Sequence, residues 1–126
     1  MKRLIISIFL FAITVATCIA ETIFLNNTAD FINQEINNVI KETSDENLEY
    51  AIQLTENICI NWQKREPLIS TFINHDQLEE IGQTIISMKT NLCNGQFEDF
   101  FVESEIAKLK LNYLRDAETP SIKNIL

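Results

Sequence analysis

Glycine and proline are nearly missing from this chain: two of each occur in 126 residues. That scarcity removes the turn chemistry on which a β-sandwich, a barrel or a Gly-rich phosphate loop depends, and it leaves helices joined by short loops. Histidine occurs once, so a multi-histidine metal site within one chain is excluded. Cations are few as well, ten Lys and Arg against eighteen Asp and Glu, for a net charge of −8. Two of those cations, Lys2 and Arg3, belong to the N-terminal segment, which makes the remainder more acidic than the whole. Such a surface repels phosphate backbones and anionic headgroups. Nucleic-acid binding is therefore set aside, and contact with a membrane is assigned to the N-terminal segment.

What is present begins with an apolar run. After Lys2 and Arg3, every residue from Leu4 to Ala20 is uncharged, and Glu21 ends the stretch. No packed soluble helix needs to be apolar on every face. The run is at the short limit for a membrane span, about 17 to 25 residues, and the flanking cations favour a cytoplasmic N-terminus with everything after Glu21 exported. Three fates fit. An uncleaved single-pass anchor is favoured, because the run exceeds the usual apolar core of a signal peptide. Cleavage after Cys18-Ile19-Ala20, which presents small residues where a signal peptidase reads, gives a secreted small helical protein. Acylation of Cys18 is the third, disfavoured by Thr17 before it.

Residues 21–118 read as one helical domain of about 100 residues, with room for a single small core. Phe24, Thr28, Ile32, Ile36 and Val39 recur at three and four, an amphipathic helix that continues the membrane helix as a stalk because no breaker stands at Glu21. Thr43 and Glu46 form a capping-box pair that predicts a second helix start. Its inner face is Leu48, Ala51, Ile52, Thr55, Ile58, Cys59 and Trp62, and it is expected to fade at Gln63-Lys64-Arg65. Pro67 suits the first turn of a new segment, with a restart at residues 74–76 where Asp76 and Glu79 make a second cap-like pair. Leu78, Ile81, Ile85, Met88 and Leu92 continue to Asn94-Gly95. The last helix, from about Gln96 to Ala117, turns Phe97, Phe100, Phe101, Ser104, Ala107, Leu111 and Leu114 inward and stops at Thr119-Pro120. Residues 119–126 form a tail apolar enough to dock back. The expected fold is all-α: an N-terminal membrane helix continuing into a stalk, packed with an antiparallel bundle of three to four helices.

Chemistry is sparsely marked. His75, with Asp76 beside it and Glu79 one helical turn on, is the one candidate for a ligand, metal-sensing or acid-sensing site; a helix-break histidine bonded to a neighbouring carboxylate is the simpler reading. Trp62 beside Lys64 and Arg65 is a candidate stacking residue, although its spacing from Ile58 suits a core position better. Cys59 and Cys93 are a candidate disulfide outside the cytoplasm. An up-and-down bundle would place their helix ends at opposite poles, so two buried free thiols are the simpler reading. Walker, dinucleotide, His-Glu-x-x-His and Gly-x-Ser-x-Gly signatures do not occur, so neither an enzyme nor a cofactor is expected.

Several stretches together resemble one family. These are Met1-Lys2-Arg3-Leu4-Ile5-Ile6-Ser7 opening the apolar run, Trp62 closing a helix, Phe72-Ile73-Asn74-His75-Asp76-Gln77-Leu78 followed by Glu79 and Glu80, and Ser121-Ile122-Lys123-Asn124-Ile125-Leu126. The chain resembles the uncharacterised bacterial family called domain of unknown function 4363. The resemblance implies a small, singly anchored helical protein of bacteria, encoded near multispanning membrane proteins, and it implies no activity. The anchor, the exported acidic bundle and the lack of a catalytic constellation lead to the expectation of an extracytoplasmic interaction or accessory module in a bacterial cell membrane, with a membrane or envelope protein as partner. The shorter, Thr-containing run and Cys18 depart from the family pattern.

Overall fold

The computed structural model describes residues 1–71 and 73–118, and among these the only regular structure is four helices: α1 (Lys2–Ser44), α2 (Leu48–Ile69), α3 (His75–Cys93) and α4 (Phe97–Glu118). The expected stop at Thr119-Pro120 and the docking of the tail lie outside the described residues.

α1 is unbroken for 43 residues, as the lack of glycine and proline in it allows. Stalk and apolar segment are one helix. Its end differs from the capping-box expectation. Thr43 points its hydroxyl back to the Val39 carbonyl at 2.8 Å instead of capping a new helix. The chain leaves α1 through a Schellman turn, in which the Glu46 N–H donates to Thr43 and the Asn47 N–H to Glu42, with Glu46 at φ +63°. The same turn recurs after α3, where Gly95 at φ +74° takes the left-handed position and the Gln96 N–H reaches Asn91. A glutamate therefore occupies at one loop the conformation that glycine supplies at the other, at a steric cost of about 1–2 kcal/mol.

α2 does not fade at Arg65. It runs to Ile69 with Pro67 inside its last turn. Proline normally breaks a helix interior, at about 3 kcal/mol. Here Ile69 and Ile73, both buried just beyond it, anchor the turn to the core, and the Ser70 and Ile73 N–H groups keep their bonds to Glu66 and Ile69. The restart near residue 75 is found, but its cap is Asn74, whose side-chain oxygen accepts from the Asp76 N–H at 3.0 Å. Asp76 sits in the first turn, where a carboxylate favours the positive end of the helix.

The helices pack as a closed antiparallel square: α1 touches α2 and α4, and α3 touches the same two. Leu25, Ala29, Ile32, Ile36 and Val39 of α1 enter the core at three- and four-residue steps and meet Ala51, Ile58, Leu78, Ile81, Ile85, Met88, Leu92, Phe100 and Leu111. The inner faces follow the periodicity closely. At their ends they do not: Leu48 and Phe97 are exposed and Phe24 is only half-buried, because the terminal turns overhang the packed square.

Polar pairs fix the register along the seams. Between α1 and α4, Arg115 Nη1 meets Asp30 at 2.6 Å, Asn33 Nδ2 donates to Asn112 at 3.1 Å, and Lys108 Nζ donates to Asn37 at 3.0 Å. Between α1 and α2, Arg65 Nη1 donates to the buried Thr28 hydroxyl at 3.0 Å while its guanidinium lies 4.8 Å over the Phe31 ring. This register assigns the poles. The 45–47 and 94–96 loops share the end far from the apolar segment, and α2 ends and α3 begins at the end from which that segment emerges.

Candidate functional site

The N-terminal half of α1 makes the strongest functional statement in the molecule. Residues 4–20 project clear of the bundle, with Leu4, Ile5, Ile6, Ile8, Phe9, Leu10 and Phe11 all more than half exposed. Length and composition suffice for this helix to cross a membrane; a signal sequence near an N-terminus meets the same two criteria. Its polar side chains are already satisfied. Ser7, Thr14 and Thr17 donate to the carbonyls of Arg3, Leu10 and Ile13 at 2.9–3.0 Å, and Thr22 does the same to Cys18. In hydrocarbon, where no water can pair a hydroxyl, that back-bonding removes the penalty of an unmet donor.

The sequence-predicted site residues fall in two places. His75 opens α3 at the turn nearest the apolar segment, and its Nε2 lies 3.9 Å from Glu79 Oε2, both side chains being more than half exposed. Asp76 neighbours them but engages Asn74 through its backbone N–H. Among the described residues no group of three or more His, Cys, Asp or Glu side chains is placed to hold a metal ion. Trp62 is elsewhere, within the α2–α3 interface and 2% exposed. Its Nε1 is buried without a hydrogen-bond partner among the described residues, and it lies 3.2 Å from where a Cβ on Gly82 would stand. A side chain at Gly82 would press on the indole. The sequence reading passed over it because an isolated glycine inside an apolar periodicity carries no local signal of what crosses it.

Cys18, Cys59 and Cys93 are free thiols. Cys59 is half-buried in the middle of α2, not near its end, because α2 continues ten residues beyond it. Cys93 is exposed at the end of α3. Both line one shallow recess with Gln63, Ile86, Lys89 and Thr90, Lys89 also reaching Glu56 on α2 at 3.3 Å. Burial pushes the Cys59 thiol above its ordinary range, with Lys89 opposing and Glu56 adding to the shift. It is a weak nucleophile where it stands. Sequence reasoning also missed the Arg65–Thr28 and Asn33–Asn112 pairs; Arg65 had read as a cation for a helix end, and nothing local reveals a partner 37 residues away.

Fold and exposed helix together define a four-helix bundle carried on a helix long enough to span a membrane. The chain belongs to the family described as domain of unknown function (DUF4363), which matches residues 20–125. The matched region is the bundle and the tail; the apolar run up to Ile19 lies outside it. No curated protein and no solved structure matches the chain.

Proposed function

We propose that residues 4–20 hold the protein in a bacterial cell membrane as an uncleaved single span, and that the bundle stands outside the cytoplasm as a non-catalytic interaction module. Its partner on this reading is a membrane protein or an envelope assembly. The observation that carries the reading is the unbroken helix: its apolar half is bare on every face, while its other half forms one side of the core. Lys2 and Arg3 supply the orientation, since basic residues are retained on the cytoplasmic side.

Intact mass and carbonate extraction of the native protein test it directly. A full-length chain that stays with the membrane pellet is expected. A mature N-terminus at Glu21, or an acylated Cys18, would replace the anchor with secretion or lipidation. Cross-linking in intact cells followed by detergent extraction is expected to recover a stoichiometric membrane-protein partner; repeated recovery of the chain alone removes the accessory role.

The His75–Glu79 pair supports a second reading, a sensor of mild acid or of a metal that a partner helps to ligate. His75→Ala separates the two. Metal affinity, stability below neutral pH and phenotype all unchanged by the substitution would leave the sensor without support.

A further inference from the structure

We infer that the base of the bundle, the pole that carries the α2–α3 turn, rests in the lipid headgroup layer of the membrane that holds residues 4–20, with Leu68 and Ile23 as its apolar contacts. The inference rests on the anchor reading and adds a second membrane contact to it.

Geometry supplies the first argument. Seventeen residues of α-helix rise about 25 Å, against a hydrocarbon core about 30 Å thick. The run is therefore short by about three residues of rise. The next apolar residues are Ile23, Phe24 and Leu25, and Leu25 is already buried in the bundle at 1% exposure. Matching the span to the bilayer draws the bundle toward the membrane, since α1 has no hinge between Ala20 and Leu25 that could hold it away. Even with the hydrocarbon boundary at Ala20, Ile23 lies about 4–5 Å beyond it, inside a headgroup layer about 5–7 Å deep.

The register brings a second element to the same level. Thr28 pairs with Arg65, so one turn further along α2 the residues around Leu68 and Ile69 descend to the height of Phe24. Ile69 is buried, whereas Leu68 is 60% exposed and Ile23 is 54% exposed. Two large apolar side chains on different helices thus face solvent at the one pole where the membrane helix departs.

Charge decides which lipids suit the contact. At the base, Lys64, Arg65 and Arg115 stand among Glu21, Asp30, Glu66, Asp76, Glu79 and Asp116, so this pole carries more acids than cations and suits zwitterionic headgroups better than anionic ones.

The test uses the full-length chain in vesicles of phosphatidylcholine and phosphatidylglycerol, with its three cysteines replaced by serine and one nitroxide attached in turn to Leu68→Cys, Glu98→Cys and Phe9→Cys. Power saturation compares relaxation by oxygen, which enriches in lipid, with relaxation by a water-soluble nickel chelate. The Leu68 label is expected to meet the chelate several-fold less than the Glu98 label does. Equal access at Leu68 and Glu98, with Phe9 shielded, would overturn the inference and leave the anchor standing. An aqueous Phe9 label would overturn both. Shielding at Leu68 that appears only after a membrane-protein partner is added would assign the patch to that protein and also overturn the lipid contact. Leu68→Trp in a Trp62→Phe background, quenched by phospholipids brominated near the glycerol end, repeats the reading without a nitroxide; an unquenched Leu68→Trp counts against it.

Discussion

The two halves of α1 share one backbone and differ in everything their side chains meet. From Leu4 to Ala20 the residues are apolar on all sides, and the bundle covers none of them. From Leu25 to Val39 the apolar residues keep to one stripe, and that stripe is almost completely buried against α2 and α4. Hydroxyls follow the same division. Thr14 donates within its own helix, whereas Thr28 accepts from Arg65 of a neighbouring one. An amphipathic stripe is what a helix needs when its partners are other helices; uniform apolarity is what it needs when its partner is a solvent of hydrocarbon.

The largest expected effect comes from placing one charge in each half. Ile36→Asp buries a carboxylate at a fully covered position and is expected to unfold the bundle, a loss above about 4 kcal/mol that circular dichroism reads as collapse of the thermal transition. Ile13→Asp, near the middle of the run, is expected to leave that transition in place and to lower membrane insertion by about 2.5–3.5 kcal/mol, read as protein released from the pellet. If both variants unfold, the halves are not independent.

Thr28→Val is the next in size. It strips the acceptor from Arg65 in a partly buried site and is expected to cost about 1–3 kcal/mol in urea unfolding, while Thr14→Val changes bundle stability by nothing measurable. Just past the packed half, Glu46→Gly relieves a left-handed residue and is expected to stabilise by about 1 kcal/mol, raising Tm. A double-mutant cycle on Asp30 and Arg115 should give a coupling of at most about 1 kcal/mol, shrinking with salt, because both side chains are about a third or more exposed.

The smallest effect concerns Cys59. Its folded thiol holds the proton more tightly than the unfolded one, so stability is flat below the ordinary thiol range and falls as pH rises toward the raised value, where only the unfolded chain ionises freely. Alkylation at mildly alkaline pH, followed by intact mass, is expected to modify Cys59 more slowly in the folded protein than in urea. Equal rates would mean that the α2–α3 seam is open.

Much of this architecture could be read without coordinates. Leu78, Ile81, Ile85, Met88 and Leu92 are all buried, as three-and-four spacing requires. The helix ends were harder. Thr43 and Glu46 had the capping-box spacing, yet the turn that formed there is a C-terminal one. Pro67 looked like a beginning and lies in a last turn, held by the burial of Ile69 and Ile73. In each place local preference of about 1–3 kcal/mol yielded to packing that no window of sequence contains.

The sequence by itself determined that the chain is helical, that residues 4–20 form an apolar stretch of membrane length, and that the rest is acidic and amphipathic, because these follow from composition and period alone. Only the tertiary structure decided that Trp62 closes over Gly82, that Arg65 is spent on Thr28, and that the α2–α3 turn with Leu68 and His75 returns to the pole from which the apolar helix leaves. Such pairings depend on the register between antiparallel helices, which residues far apart in the chain set jointly. That register also places the acidity: Asp45, Glu46, Glu49, Glu98 and Asp99 share the far pole, while Asp30, Glu66, Asp76, Glu79 and Asp116 stand among Lys64, Arg65 and Arg115 nearer the apolar helix.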